Sequence, residues 1–336
     1  MTGTPRRPAG GGSQEETPDS PTELSRPSWW AVLKRTRVEF SNDNVTDLAA
    51  ALTYYGLLSI VPGLIVLLSI LGLTGAGTHQ LTAQVGNVAP GSSAKVIDTL
   101  IKQAESHHSG AGIAAIVGIV IALWSASGYV AAFMRASNRV YDIGEGRPFW
   151  KKAPIRLALT LFAVVLLVAM AVIVVVTGPV ARSVGNAVGA GSVVVTVWSI
   201  AKWPILLVLV SVLLAVLFWA APNARQAGIK WVSPGGVIAT VLWLVLSAIF
   251  ALYVTYFSSY NKTYGSLAGI VVLLVWLWLS NVSLLFGLEI NAELEHQRAI
   301  AEGLPPDVEP FAEPRDTRKL SDEHKEAVAR AREARS

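Results

Sequence analysis

The chain has 336 residues, of which 52% are hydrophobic and 15% charged, with a mean hydropathy of +0.50. Soluble domains carry about 25% charged residues, so this composition excludes a soluble globule and indicates a polytopic membrane protein. The chain contains no cysteine, which excludes disulfides, thiolate metal sites and cysteine nucleophiles. Residues 1–28 are polar and lack an apolar core, so we expect a disordered tail and not a signal peptide.

Six apolar segments are long enough to cross a hydrocarbon core, which needs about 20 residues. They are 49–73, 113–134, 157–178, 200–221, 237–257 and 267–288. The Lys and Arg residues outside them or at their ends are unevenly distributed, with 22 on the side of both termini and five, including Lys202, on the other. The positive-inside rule therefore predicts an all-α protein of six transmembrane helices with both termini cytoplasmic. The same asymmetry explains the pI near 9.3 without a nucleic-acid partner.

Two segments beside the spans predict short amphipathic helices. In the external loop 74–112, residues 92–105 place four aliphatic side chains on one helical face, which fits either a packing cover or a moving gate. Trp29 and Trp30 precede a basic stretch and predict an interfacial helix at the cytoplasmic surface. The predicted organisation is a tail over 1–28, a transmembrane domain over 29–300 and a charged, largely disordered tail over 301–336.

Four motifs resemble one known family. They are "DLAAALTYYGLLSIVPGLIVL" in the first span, "WSASGYVAAFMRASNRVYDIGEGRPFWKK" from the second span into the next loop, "APNARQAGIKWVSPGG" before the fifth span, and "YGSLAGIVVLLVWLWLSNVSLLFGLEINAELEH" in the sixth. Over about residues 30–300 the chain resembles the YihY/virulence factor BrkB family of bacterial inner-membrane proteins, once labelled ribonuclease BN. The resemblance implies a six-helix integral membrane protein and a role in moving lipid or another envelope component.

The ribonuclease label can be tested on the histidines. A metal-dependent ribonuclease needs clustered His and Asp ligands. The five histidines are His79, His107, His108, His296 and His324. The first three are predicted to be external, and the other two stand alone. We therefore predict that the chain is not an enzyme and has neither a cofactor nor a metal site.

Several polar side chains fall within the predicted spans. They are Tyr54, Tyr55, Ser59, Pro62, Ser125, Ser127, Tyr129 and Asn281. Such groups either line a substrate groove or form hydrogen bonds between helices. Pro62 removes a backbone donor and predicts a kink, which borders a cavity or merely bends the helix. No carboxylate lies at mid-depth, which argues against a conventional ion-driven carrier.

The last predicted span ends in carboxylates. Glu289 and Glu293 are four residues apart on one helical face, where their like charges repel and oppose the helix dipole. We predict that one of them forms an ion pair with Arg135 or Arg139 and joins the second and sixth spans. The alternative is a solvated helix end.

The favoured function is a transporter or lipid-translocation factor with a groove between the first, second and sixth spans. The alternative is a non-transporting membrane scaffold that acts through protein partners. The expected partners are the bilayer, anionic lipid head groups and an unidentified substrate. Gly265 and Gly269 have a small-xxx-small spacing that permits close helix packing, within the chain or in a homo-oligomer.

Overall fold

A computed structural model describes residues 26–73, 111–175, 191–226, 228–256 and 266–335. Residues 1–25 of the predicted tail over 1–28 and the predicted amphipathic helix at 92–105 lie outside these residues, whereas residues 26–28 of that tail are helical. Eight α-helices form within the described ranges. They are α1 (Arg26–Asn42), α2 (Val45–Leu73), α3 (Ala111–Val140), α4 (Phe149–Val175), α5 (Gly191–Ala220), α6 (Ile229–Tyr256), α7 (Ser266–Ala301) and α8 (Asp322–Glu333).

The all-α prediction is confirmed for the described part of the chain. Four of its helical segments are apolar and long enough to cross a membrane: Phe149–Val174, Thr196–Ala220, Pro234–Val254 and Gly269–Ala301. These segments coincide with the last four predicted spans. The first two predicted spans fall in α2 and α3, which contain 29 and 30 residues. Helix α2 extends past Pro62, whose side chain is not described, so the kink stays a prediction.

Helix α7 is the central element of the bundle. It packs against α1, α2, α3 and α6, while α2 packs against α3, α4 lies between α3 and α5, and α5 contacts α6. Helices α6 and α7 approach each other closely where a Cβ added to Gly287 would lie 2.3 Å from the Gly235 carbonyl oxygen. The Gly235 N–H donates to the Asn291 side-chain oxygen at 2.8 Å. These two glycines therefore allow a helix contact that larger residues would prevent.

The buried residues concentrate at one end of the bundle, which we call the polar end. It comprises the beginnings of α2, α4 and α6, the ends of α3, α5 and α7, helix α1, and residues 302–335. Its apolar core includes Phe133 stacked on Phe218, with ring centroids 6.2 Å apart, together with Tyr141 and Leu288. Away from this end the helices present exposed apolar side chains, as lipid-facing surfaces do.

The predicted disorder of the C-terminal tail is wrong for residues 302–335. This segment packs on the polar end, where Leu304 and Phe311 are only 2% and 3% exposed. Asn223 holds it in place, because its side chain donates to the Asp316 carbonyl at 2.8 Å and accepts from the Asp316 N–H at 3.1 Å. Sequence inspection missed this contact because the apolar residues of the segment are few and widely spaced, without the period of a helix or strand.

Candidate functional site

Several of the polar residues predicted within the spans form hydrogen bonds between helices. The Tyr129 hydroxyl donates to the Asn281 side-chain oxygen at 2.8 Å, and the Asn281 amide donates to the Thr53 hydroxyl at 3.1 Å. The Ser59 hydroxyl contacts the carbonyl oxygens of Tyr55 and Ser125 at 2.8 and 3.0 Å. The structure thus joins α2, α3 and α7 through polar contacts inside the protein, which favours the packing interpretation over a groove at this seam.

Tyr54 lies outside the polar contacts that join α2, α3 and α7. Its side chain is 60% exposed, and its ring meets the Tyr55 ring edge-on at a centroid distance of 5.3 Å. It therefore lies on the outer surface of α2, on the half of the helix nearer the polar end. Aromatic side chains at this level of a membrane protein suit the interface between head groups and acyl chains.

The end of α7 carries polar side chains into the protein interior. Glu289, Glu293, Glu295 and His296 are each 6% exposed or less, and Asn291 is 2% exposed. The His296 ring stacks on Phe311 at 4.7 Å, so the C-terminal segment covers this part of the helix. The alternative of a solvated helix end is therefore wrong.

The ion pairs at the polar end differ from the predicted pairing. Glu293 accepts from Arg35 of α1 at 2.6 Å, and Arg139 pairs with Asp43 at 3.0 Å. Arg135 instead lies over the Tyr55 ring, 5.6 Å from its centroid. The prediction failed because Asp43, in the turn before α2, is closer to Arg139, and because α1 packs directly on α7. Spacing along one chain does not reveal such neighbours.

Glu289 has an unusual environment. It is 1% exposed, and within the described residues its Oε2 atom is buried without a hydrogen-bond partner. Buried polar groups almost always have such partners. The burial of this oxygen without a hydrogen bond therefore costs free energy in the folded state.

Two aspartates near Glu289 have raised pKa values. Burial raises the pKa of Asp43 to about 6, although Arg139 lowers it. Burial, followed by the negative charges of Glu309 and Asp43, raises the pKa of Asp142 to about 8. Asp142 also lines a cavity of about 490 Å³ with Asp307 and Glu309. The polar end thus has an acidic interior, in which the carboxyl groups of Asp43 and Asp142 change charge near neutral pH.

A second charged feature lies where α3 and α4 approach each other. Arg156 of α4 reaches α3, where its Nε donates to the Ser127 carbonyl at 2.8 Å and its Nη2 to the Ser127 hydroxyl at 2.6 Å. Arg135 lies near the same part of α3, because it rests over the Tyr55 ring, and a Cβ added to Gly128, next to Ser127, would lie 3.4 Å from that ring. We call Arg135 and Arg156 the arginine pair. Among the described residues neither guanidinium has a carboxylate within ion-pair distance.

Sequence inspection missed the residues that position these features. Gly235 and Gly287 were detectable, since a glycine inside a helix usually has a packing reason. Gly269 was identified by its small-xxx-small spacing, but a Cβ added there would lie in open space among the described residues. Gly265 lies outside them. Arg156 could not be recognised in the sequence, because a basic residue beside a span is already explained by the positive-inside rule.

A chain of long apolar helices that meet in a buried, charged end is an integral membrane protein. Comparison with known sequences gives its family: the family profile described as Virulence factor BrkB matches residues 36–310, and the chain belongs to that family. The resemblance identified from the four motifs is thereby confirmed.

Two relatives illustrate the range of names in this family. A protein of Bacillus subtilis named "Putative ribonuclease-like protein YfkH" is 31% identical over 258 residues, covering 76% of this chain and 92% of the relative. A UPF0761 membrane protein of Vibrio parahaemolyticus is 29% identical over 293 residues, covering 83% of this chain and 86% of the relative. No solved structure matches the chain. Within the described residues, no group of three or more His, Cys, Asp or Glu side chains is arranged to hold a metal ion.

Proposed function

We propose that the chain is a six-span protein of the bacterial cytoplasmic membrane that moves a lipid or another envelope component across the bilayer. Both termini are assigned to the cytoplasm, so the polar end is the cytoplasmic end. The uneven distribution of Lys and Arg supports this orientation. Helices α2 to α7 also alternate in direction, since contacts at the polar end join the beginning of one helix to the end of another.

The observation that supports the translocation function is the arginine pair, in which Arg135 is exposed and Arg156 is half-buried between α3 and α4. Arg156 lies within the apolar helical segment Phe149–Val174, and a positive charge inside such a segment is costly and is found where it serves a pathway or a ligand. The pair lies beside exposed apolar surface of the same two helices, including Trp124 at 77% exposure and Leu157 at 48%. A surface that is polar at one end and apolar along its length suits an amphiphilic substrate. This location replaces the groove predicted between α2, α3 and α7.

Purified protein reconstituted into liposomes tests the function. Liposomes carry fluorescent phospholipid in both leaflets, and a membrane-impermeant reductant removes the fluorescence of the outer leaflet alone. We expect the protein to increase the fraction of lipid that the reductant reaches above that of protein-free liposomes. Equal fractions would reject translocation by the protein alone and favour the alternative, a scaffold that needs protein partners.

The absence of cysteine makes the orientation testable separately. We expect a single cysteine at Ser93, in the predicted external loop, to react with an impermeant thiol reagent in intact spheroplasts. A single cysteine at Ser336 should react only after the membrane is opened. Reaction at Ser336 in intact spheroplasts would reverse the orientation, and with it the assignment of the polar end to the cytoplasm.

A further inference from the structure

The arginine pair has the chemistry of an anion site. Arg156 is held in place, because two of its N–H groups donate to Ser127 of α3, a residue that is only 7% exposed. Its guanidinium has further N–H groups beyond those two. Arg135 is exposed and rests over the Tyr55 ring, which leaves its guanidinium edge available. Two guanidinium groups at the contact of α3 and α4, without a described carboxylate partner, gain electrostatic stabilisation when an anion binds both of them.

The position of the arginine pair in the membrane favours a lipid phosphate over a free phosphate ion as the anion. Arg135 is five residues before the end of α3, and Arg156 is seven residues after the start of α4. At 1.5 Å per residue both lie roughly 7–11 Å from the helix ends at the polar end. Phe149 and Trp150, which begin α4, are 81% and 67% exposed, as interfacial aromatics are. The Arg156 guanidinium lies deeper than its Cα atom, because Ser127 is 13 residues before the end of α3. The charged groups of the pair therefore lie on the membrane side of these aromatics, where the head group of a lipid can reach them along the protein surface.

An apolar stripe leads away from the pair along α4. Leu157, Leu161 and Val165 are 48%, 43% and 65% exposed, and their spacing of four residues places them on one helical face. On α3, Ile121 and Trp124 are also exposed on the side away from the polar end. A free phosphate ion would use the cations alone, whereas a lipid would use both the cations and this stripe.

We propose that Arg135 and Arg156 bind the phosphate of an anionic phospholipid whose acyl chains lie along α3 and α4. Paired guanidinium groups suit phosphate oxygens, to which they donate in parallel. Tyr54, exposed on α2, contacts the Tyr55 ring over which Arg135 rests. This proposal rests on the proposed function, because it names the class of lipid that the protein handles.

Native mass spectrometry of the full-length protein tests the binding. Protein purified in detergent is mixed with phosphatidylglycerol, or with phosphatidylcholine, and the lipid-bound fraction is measured over a concentration series. We expect phosphatidylglycerol to bind more tightly. Each of Arg135→Gln and Arg156→Gln should weaken phosphatidylglycerol binding about five-fold, since one interfacial cation contributes about that factor. Arg37→Gln, which removes an exposed cation of α1, is the matched control and should leave binding unchanged.

Two further arms separate the alternatives. If Arg156→Gln reduces folding by losing its bonds to Ser127, the exposed Arg135 still provides the test, since its substitution breaks no described hydrogen bond. Equal binding by wild type, Arg135→Gln and Arg37→Gln would overturn the proposal and indicate non-specific attraction to a basic surface. Inorganic phosphate that displaces phosphatidylglycerol at equal concentration would overturn the lipid assignment in favour of a soluble phosphate compound.

The binding assay and the translocation assay can fail independently. Specific phosphatidylglycerol binding without lipid movement in liposomes would support the arginine site and reject translocation. Lipid movement that both arginine substitutions leave unchanged, together with unchanged binding, would support translocation and reject the site.

Discussion

The two halves of α7 have opposite environments although they belong to one continuous helix. In the first half Ile270 and Val271 are 51% and 58% exposed, whereas in the second half Leu288 and Glu289 are 0% and 1% exposed. An apolar side chain facing lipid has no need for a protein partner, but a buried charge does. The first half is therefore built for lipid contact and the second for contacts with other helices. Substitutions should be tolerated in the first half and damaging in the second.

The largest expected effect comes from the glycines of α7. We expect Gly287→Ala to destabilise the protein by about 3 kcal/mol or more, at the upper end of overpacking effects, because the new Cβ meets the Gly235 carbonyl and Ala239. Gly269→Ala, in the lipid-facing half, is the matched control and should be neutral. Thermal unfolding followed by tryptophan fluorescence in detergent measures both. Equal unfolding temperatures would show that α6 and α7 do not pack closely at Gly287.

A smaller effect is expected for the ion pair between α1 and α7. Arg35→Gln or Glu293→Gln should each destabilise the protein by about 1.5–3 kcal/mol, because each removes a charged hydrogen-bond partner in a largely buried site. The double substitution should cost less than the sum of the two. The same cycle on Arg139 and Glu289, one of the alternative pairings that the sequence predicted, should give no coupling. Coupling between Arg139 and Glu289, with none between Arg35 and Glu293, would support the ion pair predicted from the sequence and contradict the one in the structure.

The last comparison concerns pH. The pKa of Asp142 rises on folding from 3.8 to about 8, so the folded state binds the extra proton between those values. The protein should therefore lose stability as pH rises from about 4 to about 8. Asp142→Asn removes this loss at the higher pH, and asparagine accepts the positive φ of 51° at this position. Unfolding temperatures measured across this pH range should be flatter for the variant.

Asp307→Asn is the control for that measurement, because Asp307 is an exposed carboxylate that lines the same cavity. It should retain the pH dependence of the wild type. A residual slope below about pH 6 is expected in Asp142→Asn, since burial also raises the pKa of Asp43 to about 6. An Asp142→Asn variant with the full wild-type slope would mean that Asp142 is not buried as described.

Much of the fold could be predicted because the bilayer restricts which residues and which secondary structure a spanning segment can have. A segment such as 157–178 must be helical and apolar to cross hydrocarbon, so its character is readable from composition alone. The candidate site was less predictable. Tyr129 and Asn281 were identified as polar groups within spans, yet their bond to each other depends on how α3 faces α7. The packed C-terminal segment was missed because single residues such as Asn223 fix it.

The sequence by itself determined that this is a membrane protein of the BrkB family, where its apolar helices lie and which end of them is basic. Those properties follow from hydropathy and charge summed over many residues, and no single contact alters them. Only the tertiary structure decided that Glu293 meets Arg35, that Gly287 lies against Gly235, and that Arg135 and Arg156 form a pair without a described carboxylate. These relations depend on the rotation and register of neighbouring helices, because a turn of one helix by a single residue changes which side chains meet.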